Sequence, residues 1–277
     1  MKHGTPPLDF GVHIAALSIY PIKGCRGIPL AEFEVDRLGP AGDRRLMLVN
    51  ERNEFLSQRE IPALATLVPA IDGGRLRVTA CDNSSIAIDV DLDAPIRSVT
   101  VWAKEGLLAA DQGDRAAAWF AQALGFPCRL VAFGPATVNR IDPDFTTGPD
   151  AETSFTDGYP IMATVQESLD DLNRRLVSPV PMERFRPCVV VAGTPAWSED
   201  AWETISLGTV ACDVVKPCAR CVVTTTDQRT GAQHPTQEPL RTLATFRTIR
   251  GLGAIFGQNI IPRHTGIMRV GDPVRLL

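Results

Sequence analysis

The chain has 277 residues, of which 44% are hydrophobic and 22% charged, with a formal net charge of −4. This composition is too apolar for disorder, and the length is comfortable for two modest domains. The acidic balance offers no general attraction to a polyanion and argues against a nucleic-acid partner, while leaving local arginine clusters free to bind a small phosphate.

The opening MKHGTPPLDFGVHIAALSIY lacks a basic region followed by a continuous apolar stretch, so it does not read as a signal peptide. No run approaches the roughly 20 apolar residues that span a bilayer, which predicts no intrinsic membrane segment. The first half then alternates in the manner of short strands: IAALSIYPI, IPLAEFEVD, RRLMLVN, ALATLVPAI, RLRVTAC and SIAIDVDL. Turn chemistry separates them in PAGD, NERNE, DGG and CDNS, which predicts a small, largely β domain.

In DRAAAWFAQALG, Ala116, Trp119, Phe120, Ala123 and Leu124 share one helical face, with Asp114 placed for an N-cap and Gly125 for the stop. The strand CRLVAF follows. A long Gly-, Pro- and Asp-rich segment, FGPATVNRIDPDFTTGPDAETSFTDGYP, has the character of a functional loop, and the domain boundary is placed at its beginning. Two domains result, 12–133 and 134–277. A second helix is expected from Thr164, where T-V-Q-E forms a capping box with Glu167, and Pro179 ends it. Strands CVVVAG, ISLGTV, CDVVKP and CVVTTT come next, then a helix around EPLRTLATFRTIR and closing strands at NIIPR and GIMRVGDPVRLL.

The chemistry is carried by KPCARC. Cys218 and Cys221 are two of seven cysteines, with Cys25, Cys81, Cys128, Cys188 and Cys212. That odd, irregularly spaced set speaks against a secreted disulfide framework and for a reducing compartment, the cytoplasm. A closed zinc site needs four ligands, and neither a second CxxC nor a cluster of the four histidines supplies them. A thioredoxin-like dithiol opens a helix, whereas the β-branched VVTTT predicts a strand. Two buried hydrophobic thiols remain one reading. The other is a soft metal ligand beside the positive charges of Lys216 and Arg220. Three further basic clusters, Lys23 and Arg26 in PIKGCRG, Arg44 and Arg45 in GDRR, and Arg184 and Arg186 in ERFRPC, lie far apart in sequence yet are suited to converge on a phosphate.

PIKGCRG, GDRRLMLV, SFTDGYP, ERFRPCVVVAG, DVVKPCARCVVTT, HPTQEPLRTLATFR, FGQN and RVGDPV occur in this order, and together they resemble the MOSC family with its N-terminal β-barrel domain. Within it the likeness is to bacterial N-hydroxylaminopurine-resistance reductases and to the mitochondrial amidoxime-reducing component. The resemblance implies a mixed α/β, predominantly β fold: a β-barrel-like N-terminal domain and a MOSC-type mixed β-barrel with flanking helices. It also implies a molybdenum cofactor, molybdenum held by molybdopterin, between them. By motif, Cys221 is then the metal ligand and catalytic centre. Lys23, Arg44, Arg186 and Arg220 fall on the pterin-phosphate contacts, and Gly158 and Tyr159 in TDGYP on the segment beside the cofactor. Three positions depart from the family pattern. Cys188 stands where asparagine is common, and Gly24 and Ala219 stand where relatives carry serine, so backbone amides are left to serve there.

The implied reaction is two-electron reduction of an N-hydroxylated small molecule, R–NHOH to amine and water, with molybdenum cycling between Mo(IV) and Mo(VI). Some relatives carry a ferredoxin-like domain after RVGD, whereas this sequence stops at Leu277 and shows no Fe–S cysteine pattern. The expected electron source is therefore a separate ferredoxin or flavin reductase. The rival readings are a molybdenum-cofactor carrier and a sulfur carrier holding a persulfide on Cys221.

Overall fold

The computed structural model describes residues 11–146 and 151–277. The first ten residues of the opening stretch, and positions 147–150 of the long loop, lie outside the described residues. The described residues are mostly β, in four sheets with three α-helices.

The largest sheet runs from Val274–Leu276 through Thr204–Leu207, Val210–Ala219, Gly253–Pro262, Ile161–Val165, Val189–Ala192 and His13–Ile19 to Ile28–Leu30, with Thr248–Ile249 paired beside Gly253–Pro262. Its one parallel pairing joins Ile161–Val165 to Val189–Ala192. Such a pairing requires a crossover, which the helix Gln166–Arg175 provides. The strands from His13 to Leu30 join this sheet, and Glu32–Asp36 pairs with Gly266–Arg269, so the start of the chain is woven into the second half. A four-stranded sheet, Leu46–Val49, Arg129–Ala132, Lys104–Asp111 and Ile96–Val101, and a three-stranded sheet from Val68 to Ile88 make up the rest of the first half.

The apolar side of the helix Gly113–Leu124 buries Ala116 and Phe120 against Leu48, Val78 and Leu130. Its stop is Gly125 in a left-handed conformation, as the sequence predicts. Gln112, not Asp114, takes the N-cap position. The second helix and the helix Leu240–Phe246 share a core of Leu169, Leu172, Leu243, Phe185 and Phe256, where the last two rings stack at 3.9 Å. Gly257 is obligatory beside them. It has φ +76°, and a Cβ there would stand 2.6 Å from the carbonyl oxygen of Ala163.

Three expectations are corrected. Thr164 lies within the strand Ile161–Val165 and donates to Met182 Sδ at 3.4 Å, while Glu167 accepts from the Gly193 amide at 2.8 Å, so no capping box forms. Pro62–Thr66 is a 3-10 turn ahead of its strand, and Ile96–Val101 with Lys104–Asp111 is a hairpin the pattern does not announce. VVTT, finally, is a 3-10 turn over Val222–Thr225. The hydroxyls of Thr224 and Thr225 donate to the carbonyls of Cys221 and Val222 at 2.9 and 2.7 Å, closing the turn from the side chains and overriding β-branched preference.

One buried acid sits in this packing. Glu199 is fully buried, with Oε2 accepting from Ser168 Oγ at 2.9 Å and Oε1 without a partner. Burial pushes its carboxyl up to about 7. Between the ordinary glutamate range and that value the unfolded chain ionises while the native chain holds its proton, so stability falls as pH rises through this window. Glu199→Gln keeps an acceptor for Ser168 and removes the titration. It should be more stable than the parent at pH 8 by roughly 3 kcal/mol, the conversion of that displacement, and by little at pH 5. Urea unfolding at the two pH values measures this, and an equal difference at both would exclude Glu199 as the cause.

Candidate functional site

One cavity of ≈ 410 Å³ opens over the large sheet. Part of its lining is a row across three strands: Met162, Asn259 and Lys216 lie in register. Beside this row the strand Val210–Ala219 loses regular pairing twice, between Val214 and Lys216 and between Pro217 and Ala219. Pro217 lacks the amide a regular ladder needs, and such breaks re-aim the residues that follow. Cys218, Ala219, Arg220 and Cys221 therefore reach the cavity wall. Cys221 is half-buried with an extended backbone and leads directly into the 3-10 turn.

The three basic clusters divide. Lys23, Arg44 and Arg186 line the cavity. Arg26, Arg45 and Arg184 do not, and each is spent on protein groups: Arg26 on the Gln228 carbonyl, Arg45 on both Asp36 oxygens, Arg184 on Thr225 O and Asp227. Arg44 and Arg186 have φ +48° and +57°, a conformation that costs energy for non-glycine residues and is retained where the surroundings enforce it. Their guanidinium carbons lie 4.6 and 4.3 Å from the centre of one ring, Tyr20. Arg44 Nη1 meets Asp43 Oδ2 at 2.5 Å and Cys188 Sγ at 3.3 Å. Burial opposes the charge on Arg44, but Asp43 outweighs it and holds the guanidinium firmly protonated. Burial lowers Arg186, whose Nη2 is buried and without a partner.

Lys23 ion-pairs with Asp157, whose Oδ1 also accepts from Trp102 Nε1 at 3.0 Å. Burial pulls Lys23 below the usual lysine range while Asp157 counters it. Asp157 stands on the cleft wall with its carboxylate largely exposed. Although desolvation beside the cleft works to raise it, Lys23 holds it well below the ordinary range. Arg220 donates from Nη1 to Cys218 Sγ at 2.9 Å and Met162 Sδ at 3.3 Å, and from Nη2 to Phe185 O at 2.6 Å, which leaves its buried Nε without a partner.

The other sequence-derived positions are placed as follows. Gly24 lines the cavity at φ +86°, a conformation that favours glycine. Gly158 and Tyr159 also line it. A Cβ on Gly158 would meet no protein atom within 4 Å, so the space beside it is open, and burial pushes the Tyr159 hydroxyl up to about 12. Cys188 is not part of the lining. It is buried behind Arg44 and Asp43, with its thiol pushed up to about 12 by burial and then by Asp43. Phe55, Arg59 and Trp102 are wall residues that sequence reasoning missed. Arg59 covers the Trp102 ring at 4.3 Å, and Phe55 meets that ring edge-on at 4.5 Å. Trp102 occupies the tight turn of the unannounced hairpin, so no local signal marked it.

Cations from separate sequence blocks and the thiols of Cys218 and Cys221 thus meet over a β-sheet floor in a β-rich protein. Residues 11–127 match the model of the MOSC N-terminal beta barrel domain and residues 150–275 that of the MOSC domain. Mitochondrial amidoxime-reducing component 1 of Homo sapiens is 32% identical over 285 residues, covering 95% of this chain and 82% of that one. Mitochondrial amidoxime reducing component 2 of Rattus norvegicus is 32% identical over 279 residues, covering 94% and 82%. The chain belongs to the MOSC family, with the MOSC N-terminal domain ahead of the MOSC domain.

Proposed function

We propose that this protein is a molybdenum-cofactor-dependent reductase of N-hydroxylated compounds, namely hydroxylamines, amidoximes and N-hydroxylated purines. A single cavity that combines the Cys221 thiol with cations drawn from three distant sequence blocks carries the reading. The likeness to amidoxime-reducing components supports the same direction.

The donor set fits the cofactor. A pterin phosphate wants cationic donors, and Arg186 Nη2 and Arg220 Nε are buried nitrogens with no protein partner. Metal held by dithiolene sulfur accepts a further soft thiolate, which Cys221 would supply. The open space beside Gly158 leaves room for a ligand against backbone. When bound, the cofactor supplies the two-electron chemistry, R–NHOH + 2e⁻ + 2H⁺ → R–NH₂ + H₂O. Lys23, Arg44, Arg186 and Arg220 would grip the phosphate, and the walls at Tyr159 and Trp102 would limit water. Electrons are proposed to come from a separate ferredoxin or flavin reductase. A cytoplasmic location, and the division into modules 12–133 and 134–277, belong to the same proposal. Among the described residues no helix is long and apolar enough to cross a membrane.

Metal analysis of freshly purified protein, followed by benzamidoxime reduction with an artificial electron donor, tests this reading. Molybdenum with turnover is expected. Molybdenum without turnover would leave a cofactor carrier, and sulfane sulfur on Cys221 without molybdenum would leave a sulfur carrier.

The pairing of Lys23 with Asp157 yields a prediction for the anion. Asp157→Asn removes the carboxylate that competes for Lys23, so cofactor-free protein should bind inorganic phosphate more tightly at pH 6–7, on the order of several-fold, as one ion-pair competitor is lost. Asp157 also sustains the charge on Lys23 against burial. Without it Lys23 loses its proton earlier, and the alkaline fall of phosphate affinity should move to lower pH in the variant. A phosphate titration from pH 6 to 10 reads both effects, and an unmoved alkaline limb would detach Lys23 from the anion.

A further inference from the structure

Two buried amides stand behind the cations. Gln58 and Gln228 are each 2% exposed and lie 170 residues apart in sequence. Gln58 Nε2 donates to Gln228 Oε1 at 3.1 Å, and Gln228 Nε2 returns a bond to Gln58 Oε1 at 3.0 Å. On one side Gln58 Nε2 donates to the carbonyl of Gly24, next to Lys23, at 2.5 Å. On the other, Gln228 Oε1 accepts from Arg186 Nη1 at 3.1 Å. A guanidinium only donates, so Oε1 of Gln228 must face Arg186, and that orientation fixes both amides. The carbonyl of Gln228 is in turn clamped by Arg26 Nε and Nη2 at 2.9 and 2.6 Å.

The chemical character of this support is informative. Arg45 and Arg184, which stay out of the cavity, are held by the carboxylates of Asp36 and Asp227. Among the cavity cations, Arg44 has Asp43 and Lys23 has Asp157. Arg186 is instead held by a neutral amide and an aromatic face. A carboxylate would bind it more strongly but cancel its charge, whereas an amide fixes the side chain and leaves the charge available. Buried amides are costly unless fully bonded, and here the bonding is reciprocal and runs from the Lys23–Gly24 turn to Arg186.

We propose that Gln58 and Gln228 are a positioning pair that holds Arg186 in register with the Lys23–Gly24 turn while keeping its charge free for a phosphate-type anion. This rests on the anion-binding reading of the cavity. Neither amide is assigned to the chemistry.

The test is calorimetric binding of inorganic phosphate to the full chain produced without cofactor, at low ionic strength, beside thermal unfolding. Gln228→Leu and Gln58→Leu should each weaken phosphate roughly tenfold, the scale of losing a partner behind a charged contact. The double variant should bind no worse than either single one, because the pair acts as a unit. Gln228→Glu preserves the acceptor for Arg186 but cancels its charge and loses the Nε2 donor to Gln58 Oε1 and Thr226 O, so it should weaken phosphate at least as much as the leucine variants. It also carries the test if a leucine variant does not fold. Variants that unfold earlier yet bind phosphate like the parent, or a Gln228→Glu protein that binds as tightly as the parent, overturn the proposal. A parent that binds no phosphate overturns the anion reading itself, and the pair with it.

Discussion

Cys221→Ser is expected to abolish amidoxime reduction while leaving the fold in place. Cys221 is half-buried on the cavity wall, at the junction between an irregular strand end and a 3-10 turn. Its backbone carbonyl, not its thiol, closes that turn through Thr224 Oγ1, so exchanging sulfur for oxygen leaves local structure untouched. What changes is donor softness: a serine hydroxyl is a hard, protonated ligand where a thiolate is required. Pterin content should persist through the phosphate contacts while turnover falls below detection. Cys218→Ser is the comparison. Cys218 Sγ accepts from Arg220 Nη1 at 2.9 Å, a bond an oxygen can also accept, so its loss should stay near the roughly tenfold to hundredfold scale of outer-shell changes. Equal, complete loss in both variants, with zinc in the protein, would make the two cysteines a shared unit and end the molybdenum reading.

Legibility in the sequence followed the range of the interactions. Gly125 as a helix stop and the amphipathic face of Ala116 and Phe120 were readable because they depend on neighbours within a turn or two. The blocks PIKG, GDRR, ERFRP and CARC were readable as basic or thiol clusters for the same reason. Which cation of each basic cluster faces the cavity was not. That choice is made by Gln228 for Arg26, by Asp36 for Arg45 and by Asp227 for Arg184, and two of these three partners are distant in sequence. The 3-10 turn after Cys221 was hidden because threonine hydroxyls, rather than backbone propensity, decide it. Trp102 and Arg59 were hidden because their importance arises only when the hairpin turn is brought over Phe55 and Asp157.

Arg186→Ala should deplete the purified protein of molybdenum and pterin together. Truncation removes a buried guanidinium that combines an uncompensated charge with an unpartnered Nη2. A charge-assisted hydrogen bond of this kind is worth about 1.5–3 kcal/mol, or roughly ten- to a hundredfold in affinity, enough to lose the cofactor during purification. Arg186→Lys should rescue little, because an ammonium cannot at once cover the Tyr20 ring, bond Gln228 Oε1 and present a second donor. The φ of +57° makes alanine a fair test, since neither residue is β-branched and both bear the same backbone cost. Arg45→Ala supplies the contrast. It removes an equal charge one residue from Arg44, but from a side chain occupied by Asp36 outside the cavity, and should retain its metal. Metal and pterin content measured per folded protein separates the two arginines, and a fully loaded Arg186→Ala protein would remove Arg186 from the anion's grip.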